Sequence, residues 1–274
     1  MNTTPNQQHL LHVDLRKVLD LAALGVRRAS TFMAFGLRVA ADESVRSASL
    51  DTNFSYRFMP EPLSAEQSVE ARRNFALWIT ANGLRELEQH FAFFMNEIYA
   101  VLVLMASQSL GTAIDPQRNR RMENDTNLVG KLDRLHAEFG IAAQYRDYFD
   151  SIGVARNVFA HNLGIVRERD CRGAQAFTLK WRGWDMVFGS HVVSGPFSTP
   201  LEVEQATTVT IRPVERTRTF IPGSLITISP HDLSEICMNF LNQAQEIEKS
   251  TADYGRGKGL HVEEALIDPS QSPP

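Results

Sequence analysis

Apolar residues recur every three or four positions over most of this chain, which is the period of an α-helix. Leu84, Leu87, Phe91, Phe94, Ile98, Val101 and Met105 form the longest such stripe and predict a long helix from Ser64 or Ala65 to Leu110, facing a core or a partner helix. Ser64 and Gln67 have the spacing of a capping box at its start. Asn82-Gly83 is expected to kink or divide it, and Glu86, Glu88, Gln89 and His90 to decorate its surface. Shorter helical patterns cover Leu10–Ala41, with a weak point at Gly25, then Leu128–Phe139 ending at Gly140, Ala143–Leu163 stopped by Gly164, and Asp232–Ser250. Pro60 and Pro62 mark 42–63 as a loop, and the polar stretch Gly111–Asn127 reads as a solvated charged loop.

The texture changes after the fourth of these patterns. Residues 176–181, 186–193, 203–213 and 224–229 are rich in Val, Thr, Ile and Phe and are punctuated by Gly and Pro, which predicts strands. Trp181-Arg182-Gly183-Trp184 between the first two reads as a β-turn with one buried ring, with base stacking as the alternative. The expected fold class is therefore mainly α, with a small β insertion before the last helix. The expected organisation is an N-terminal helical segment over 1–60, a helical domain over 61–250 with the β excursion at about 176–229, and a disordered tail over 251–274.

Composition narrows the functional classes. With 43% hydrophobic and 22% charged residues the 274-residue chain is ordinary for a globular protein. Its net charge of −4 gives no global basic field, so any nucleic-acid contact has to be a local patch. Cys171 and Cys237 lack metal-ligand spacing and suggest neither a zinc site nor a disulfide framework, so no cofactor or metal is expected. The polar start Met1–Asn6 predicts no signal peptide, and the apolar run Ile98–Ala106 is about half the length that spans a bilayer. The expectation is a cytoplasmic protein that does not enter membranes.

The chemistry-bearing stretch is Arg156-Asn157-Val158-Phe159-Ala160-His161-Asn162-Leu163. On a helix Asn157 and His161 share a face, and Arg156 lies about 140° round from His161 with a side chain long enough to lean back. Arginine grips a phosphodiester through its planar fork, and histidine moves protons near neutral pH. Together they suit RNA cleavage without a metal: His161 takes the ribose 2′-hydroxyl proton or protonates the leaving 5′-oxygen, and the 2′-oxygen attacks the adjacent phosphorus to leave a cyclic phosphate. The reaction needs both an acid and a base, which a two-fold dimer would supply. The alternative is a helix end whose Arg and His bond to carbonyls or carboxylates. Spacing alone is unspecific, since Arg85 and His90 repeat it as surface residues.

Arg156-Asn157-x-x-x-His161, continued by Asn162-Leu163-Gly164-Ile165, resembles the signature of the HEPN superfamily (higher eukaryotes and prokaryotes nucleotide-binding domain). The resemblance implies a bundle of four or five helices. It also implies a homodimeric, metal-independent endoribonuclease of a toxin–antitoxin, phage-defence or RNA-processing system, with an antitoxin or regulatory protein as a further partner. Other members are inactive modules that bind RNA, a nucleotide or a protein. The resemblance assigns Arg156 and His161 as catalytic and Asn157 as their polar helper, with Asn162 as a flanking RNA-binding candidate. The β stretch departs from the simplest bundle.

Arg118, Arg120 and Arg121 are further candidates for RNA phosphates. His9, His12 and Asp14 could begin a metal site but lack a third ligand, so surface histidines are expected. Gly255-Arg-Gly-Lys-Gly259 lacks the strand and helix of a phosphate loop.

Overall fold

The computed structural model describes residues 14–45, 64–125, 127–142, 144–188, 191–194, 208–260 and 262. Its helices are α1 (Leu15–Ala41), α2 (Ala65–Leu110), α3 (Pro116–Asn124), α4 (Leu128–Phe139), α5 (Arg146–Asn162) and α6 (Pro230–Gly257). A three-stranded sheet stands between α5 and α6 in the sequence: β1 (Phe177–Phe188), β2 (His191–Ser194) and β3 (Val209–Phe220), in the antiparallel order β2-β1-β3. The protein is mainly helical, with a small sheet before the last helix.

Local chemistry explains most boundaries. Ser64 and Gln67 exchange reciprocal backbone bonds at the start of α2, Gln67 N to Ser64 Oγ at 3.2 Å and Ser64 N to Gln67 Oε1 at 3.0 Å. The helix is undivided at Asn82-Gly83. Glycine stands there because the Met33 side chain of α1 occupies the space a Cβ would need. The Gly111–Asn127 stretch is not simply a loop. Asp115 accepts a bond from Gln117 N at 2.9 Å and Pro116 fills the first helical position, so the pair starts α3. α5 stops where Leu163 and Gly164 take φ of 50° and 80°, a left-handed cap that continuing helix geometry excludes.

The strands differ from the sequence expectation. The stretches 176–181 and 186–193 contribute to one twelve-residue strand, β1, followed by β2. Trp181-Arg182-Gly183-Trp184 is mid-strand and not a turn. Residues 224–229 make no strand beyond an isolated bridge between Ile165 and Leu225. α6 runs on to Gly257, past the Ser250 boundary where the polar tail begins. Residues 209–213 of the fourth expected stretch open β3, whereas Pro60, Pro62, His9, His12, residues 203–207 and most of the tail lie outside the described residues.

Two compact units interleave along the chain. Their boundaries fall within α1, α2 and α6 and just before α5. One unit comprises the described parts of Met1–Ala23, His90–Gln144 and Asn242–Pro274. Tyr99 there donates to Glu138 at 2.8 Å, and the Phe139 ring meets Tyr99 and Tyr254 edge-on at 5.5 and 5.6 Å. Lys131 is buried against Asn96 and the Met122 carbonyl, and that burial pulls its ammonium pKa down.

The other unit comprises the described parts of Leu24–Gln89 and Tyr145–Leu241. Here α5 runs along the part of β1 that β2 leaves open. The Ser151 hydroxyl accepts from Lys180 N at 3.0 Å and donates to Lys180 O at 3.2 Å, closing an exposed strand edge. Phe149 of α5 meets Phe240 of α6 edge-on at 4.9 Å, and Trp181 is buried. Cys171 and Cys237 are both buried, and desolvation pushes the Cys237 thiol up to about 12. A thiol-reactive dye should therefore label neither cysteine in the native protein and both in guanidinium.

By length and composition α2 is long and apolar enough to cross a bilayer, which corrects the count based on Ile98–Ala106 alone. Its stripe Leu84, Leu87, Phe91, Phe94, Ile98 and Met105 is nevertheless buried inside the protein, as the stripe of a core helix is.

Candidate functional site

The motif sits in the last turns of α5, and α2 positions it. Gly164 just beyond α5 packs beside Leu77, where a Cβ would lie 3.2 Å from Leu77 Cδ2, and Arg156 is paired with Glu88. The two helices therefore run antiparallel. Gly153 faces the Glu88 carboxylate at ordinary contact distance, the position of a Cβ lying 3.4 Å from its Oε1.

Glu88 is the residue that the sequence reading missed. It was expected on the surface, yet it is 9% exposed. Its Oε2 accepts from Arg156 Nε at 2.9 Å and lies 2.6 Å from Nη2. Burial pushes the Glu88 carboxyl above the ordinary range, and the Arg156 guanidinium pulls it back. A sequence signal existed: Glu88 follows Leu84 by four and precedes Phe91 by three, which puts it on the edge of the buried stripe.

Asn157 and His161 are both exposed, one turn apart on the face of α5 that points to solvent. Arg156 lies on the flank toward α2, with its side chain 30% exposed. Its Nε and Nη2 are taken by Glu88, and Nη1 has no bond among the described residues. The site thus presents an open imidazole and amide, with a guanidinium beside them that is fixed and partly charge-compensated. Val158 and Phe159 anchor the opposite side of the turn in the core.

The remaining candidates separate. Asn162 is buried and committed locally: Nδ2 donates to Asp170 Oδ2 and Oδ1 accepts from Arg169 Nη2, each at 3.3 Å. It ties the end of α5 to the 3-10 turn Glu168–Cys171, and as an RNA contact it has no free group. Arg118, Arg120 and Arg121 belong to α3 in the other compact unit. Arg118 is held by Glu138 at 2.5 Å and lies over the Phe139 ring, and that hydrogen bond raises its pKa. Arg121 pairs with Asp115 at 3.6 Å, and Arg120 is exposed. Arg85 bonds to Asn82 at 2.9 Å, while His90 packs edge-on against Phe93. Gly255 lies in α6 and is packed, since a Cβ there would meet Met105 at 3.1 Å, whereas Gly257 and Gly259 have open space where a Cβ would stand. Among the described residues no group of three His, Cys, Asp or Glu side chains could hold a metal.

No protein-family model, curated protein or solved structure matches this chain.

Proposed function

We propose that the protein is a metal-independent endoribonuclease of HEPN type, acting in the cytoplasm as a homodimer in a toxin–antitoxin or phage-defence setting. The observation that carries the proposal is the open pair Asn157 and His161 on α5, beside an arginine whose direction is fixed by a buried carboxylate. Arg156 would meet the scissile phosphate through its free Nη1 edge. His161 would act as base toward the 2′-hydroxyl or as acid toward the leaving oxygen. Asn157 would orient the imidazole or the ribose. A second copy would supply the second histidine, and an antitoxin or regulatory protein would be a further partner. The test is cleavage of single-stranded RNA by purified protein in EDTA, with products ending in a cyclic phosphate. Cleavage seen only after metal is added would overturn the mechanism.

One observation favours a second reading, a catalytically inactive HEPN-like module that binds RNA, a nucleotide or a partner protein. Glu88 offsets much of the charge that Arg156 would bring to a phosphate. Glu88→Ala separates the two. Removing the carboxylate strands a guanidinium that cannot lose its proton. Because Arg156 keeps some solvent contact, the expected loss is on the order of 2 kcal/mol in urea denaturation, below the ~3–5 kcal/mol of fully buried pairs. Arg156→Ala should cost less, since the remaining Glu88 can take up a proton. For an enzyme, Glu88→Ala also lowers kcat at temperatures where the variant is fully folded. For an inactive module there is no turnover to lose, and the change falls on stability and on the binding of a phosphate-bearing ligand.

A further inference from the structure

The Arg156 guanidinium brings little net charge to a phosphate, because the buried Glu88 carboxylate lies 2.6 Å from it. A phosphodiester under attack gathers negative charge on its oxygens and calls for a cation without such a partner. α2 carries one where it borders the motif.

Two contacts fix the register of α2 against α5. Leu77 packs beside Gly164, and Glu88 pairs with Arg156. Asn82 stands five residues beyond Leu77, and His161 three residues before Gly164. At about 1.5 Å per residue these offsets are about 7.5 and 4.5 Å in the same direction, so Asn82 and His161 stand at nearly one level. The flanks correspond as well. Arg85 lies about 60° round α2 from Glu88, on the side away from the buried Leu84 and Leu87. Asn157 and His161 lie about 100° and 140° round α5 from Arg156, on the side away from the buried Ala155 and Phe159. Both helices turn their buried flanks into the same compact unit, so their solvent flanks border one groove.

Arg85 leans along that groove to the level of His161. Helical side chains tilt toward the N-terminus of their own helix, and for α2 that is the direction of the C-terminal end of α5. Arg85 Nη2 donates to Asn82 Oδ1 at 2.9 Å, three residues back. The Asn82 amide is itself fixed, with Nδ2 donating to the Trp78 carbonyl at 2.7 Å. The two acids nearest Arg85 in the sequence are engaged by other arginines, Glu86 by Arg28 at 2.5 Å and Glu88 by Arg156. Arg85 is exposed and has no ion-pair partner among the described residues.

We infer that Arg85 grips the scissile phosphate of the RNA across the groove from His161, and supplies the net positive charge that the paired Arg156 lacks. The inference rests on the proposed nuclease, to which it adds a phosphate-binding group from α2.

The test uses the full chain in EDTA with a labelled single-stranded oligouridine. Arg85→Ala should lower kcat/KM for cleavage roughly a hundredfold. Arg85→Lys keeps the charge and loses the planar fork, so it should recover part of that rate. Binding is read by fluorescence anisotropy in the His161→Ala protein, where the RNA stays intact. There Arg85→Ala should lower the slope of log affinity against log salt by about 0.7, and Arg85→Lys should leave the slope unchanged. The side chain is exposed and makes one bond, so melting curves should match the parent protein.

An unchanged salt slope in Arg85→Ala overturns the inference, and so does a His161→Ala protein that binds no RNA. A fall in cleavage that comes with a lower melting temperature and an unchanged slope assigns Arg85 to structure and overturns it equally. If His161-dependent cleavage ignores Arg85, the arginine leaves the site and the nuclease stands. A reduced slope in a protein whose parent never cleaves supports the phosphate contact and removes the nuclease.

Discussion

His161→Ala should abolish RNA cleavage in EDTA while leaving thermal unfolding unchanged. The two halves of this result have separate physical causes. A general acid or base contributes about 10²–10⁴-fold to a proton-transfer step, so its loss takes a slow nuclease below detection. The imidazole is exposed and has no bond among the described residues, so the alanine variant removes no packing and leaves no buried group unsatisfied. Substitutions of that kind stay within about 0.5 kcal/mol. Arg156 gives no such clean separation, because its removal also disturbs Glu88. Cleavage that persists at wild-type rate in His161→Ala would remove the histidine from the mechanism, and with it the proposed reaction. If His161→Ala and Arg156→Lys both leave growth of a host expressing the protein unaltered, and the parent is equally harmless, the inactive binding module becomes the better account.

What the sequence revealed about this site depended on how local the determinants were. The helix that carries Arg156 and His161, its apolar anchors Val158 and Phe159 and its glycine stop are all set within a few residues, and each is where the pattern puts it. The capping box at Ser64 and the stop at Gly140 are equally local. Partners from distant segments are not visible in a single pattern. Glu88 looks like any surface glutamate until α5 is laid against α2, and Asn162 looks like a free amide until the 3-10 turn folds back on it. Polarity also misled. The charged stretch containing Arg118 reads as a loop, but Asp115-Pro116 is itself a helix-starting signal, and Met122 gives the short helix a buried anchor. The strand error has a related cause. Gly183 suggests a turn, although it is a mid-strand glycine whose missing side chain makes room for a carboxylate from α6.

That carboxylate belongs to Glu235, and Glu235→Ala should be the most destabilising single change in the unit that holds the motif. Glu235 is 4% exposed, at the start of α6 against the inner face of the sheet. It accepts from Trp181 Nε1 at 2.8 Å and from Trp184 N at 3.1 Å, and it meets Arg216 Nη2 at 3.3 Å. His231, one turn earlier, lies 3.4 Å from its Oε1. Arg216 also reaches Asp185, 4% exposed, at 3.0 Å, and Arg212 meets the other oxygen of Asp185 at 3.1 Å, so Arg216 bridges the two buried acids. Alanine would leave an indole N–H and a strand N–H without acceptors in the interior, and would shift the charge balance around Arg216. Truncating one member of such a buried network costs about 3–5 kcal/mol, a large part of the ~5–15 kcal/mol that holds a typical domain together. Glu235→Gln keeps one acceptor and the volume, so it should lose roughly half as much. Gly183→Ala attacks the same joint from the strand, since its Cβ would lie 2.5 Å from both Glu235 Oε1 and Arg216 Nε. Neither can retreat without giving up its bonds. In urea denaturation the alanine variant should unfold at markedly lower denaturant with an unchanged slope. A loss below about 1 kcal/mol would mean that the sheet is not fastened to α6 through this carboxylate.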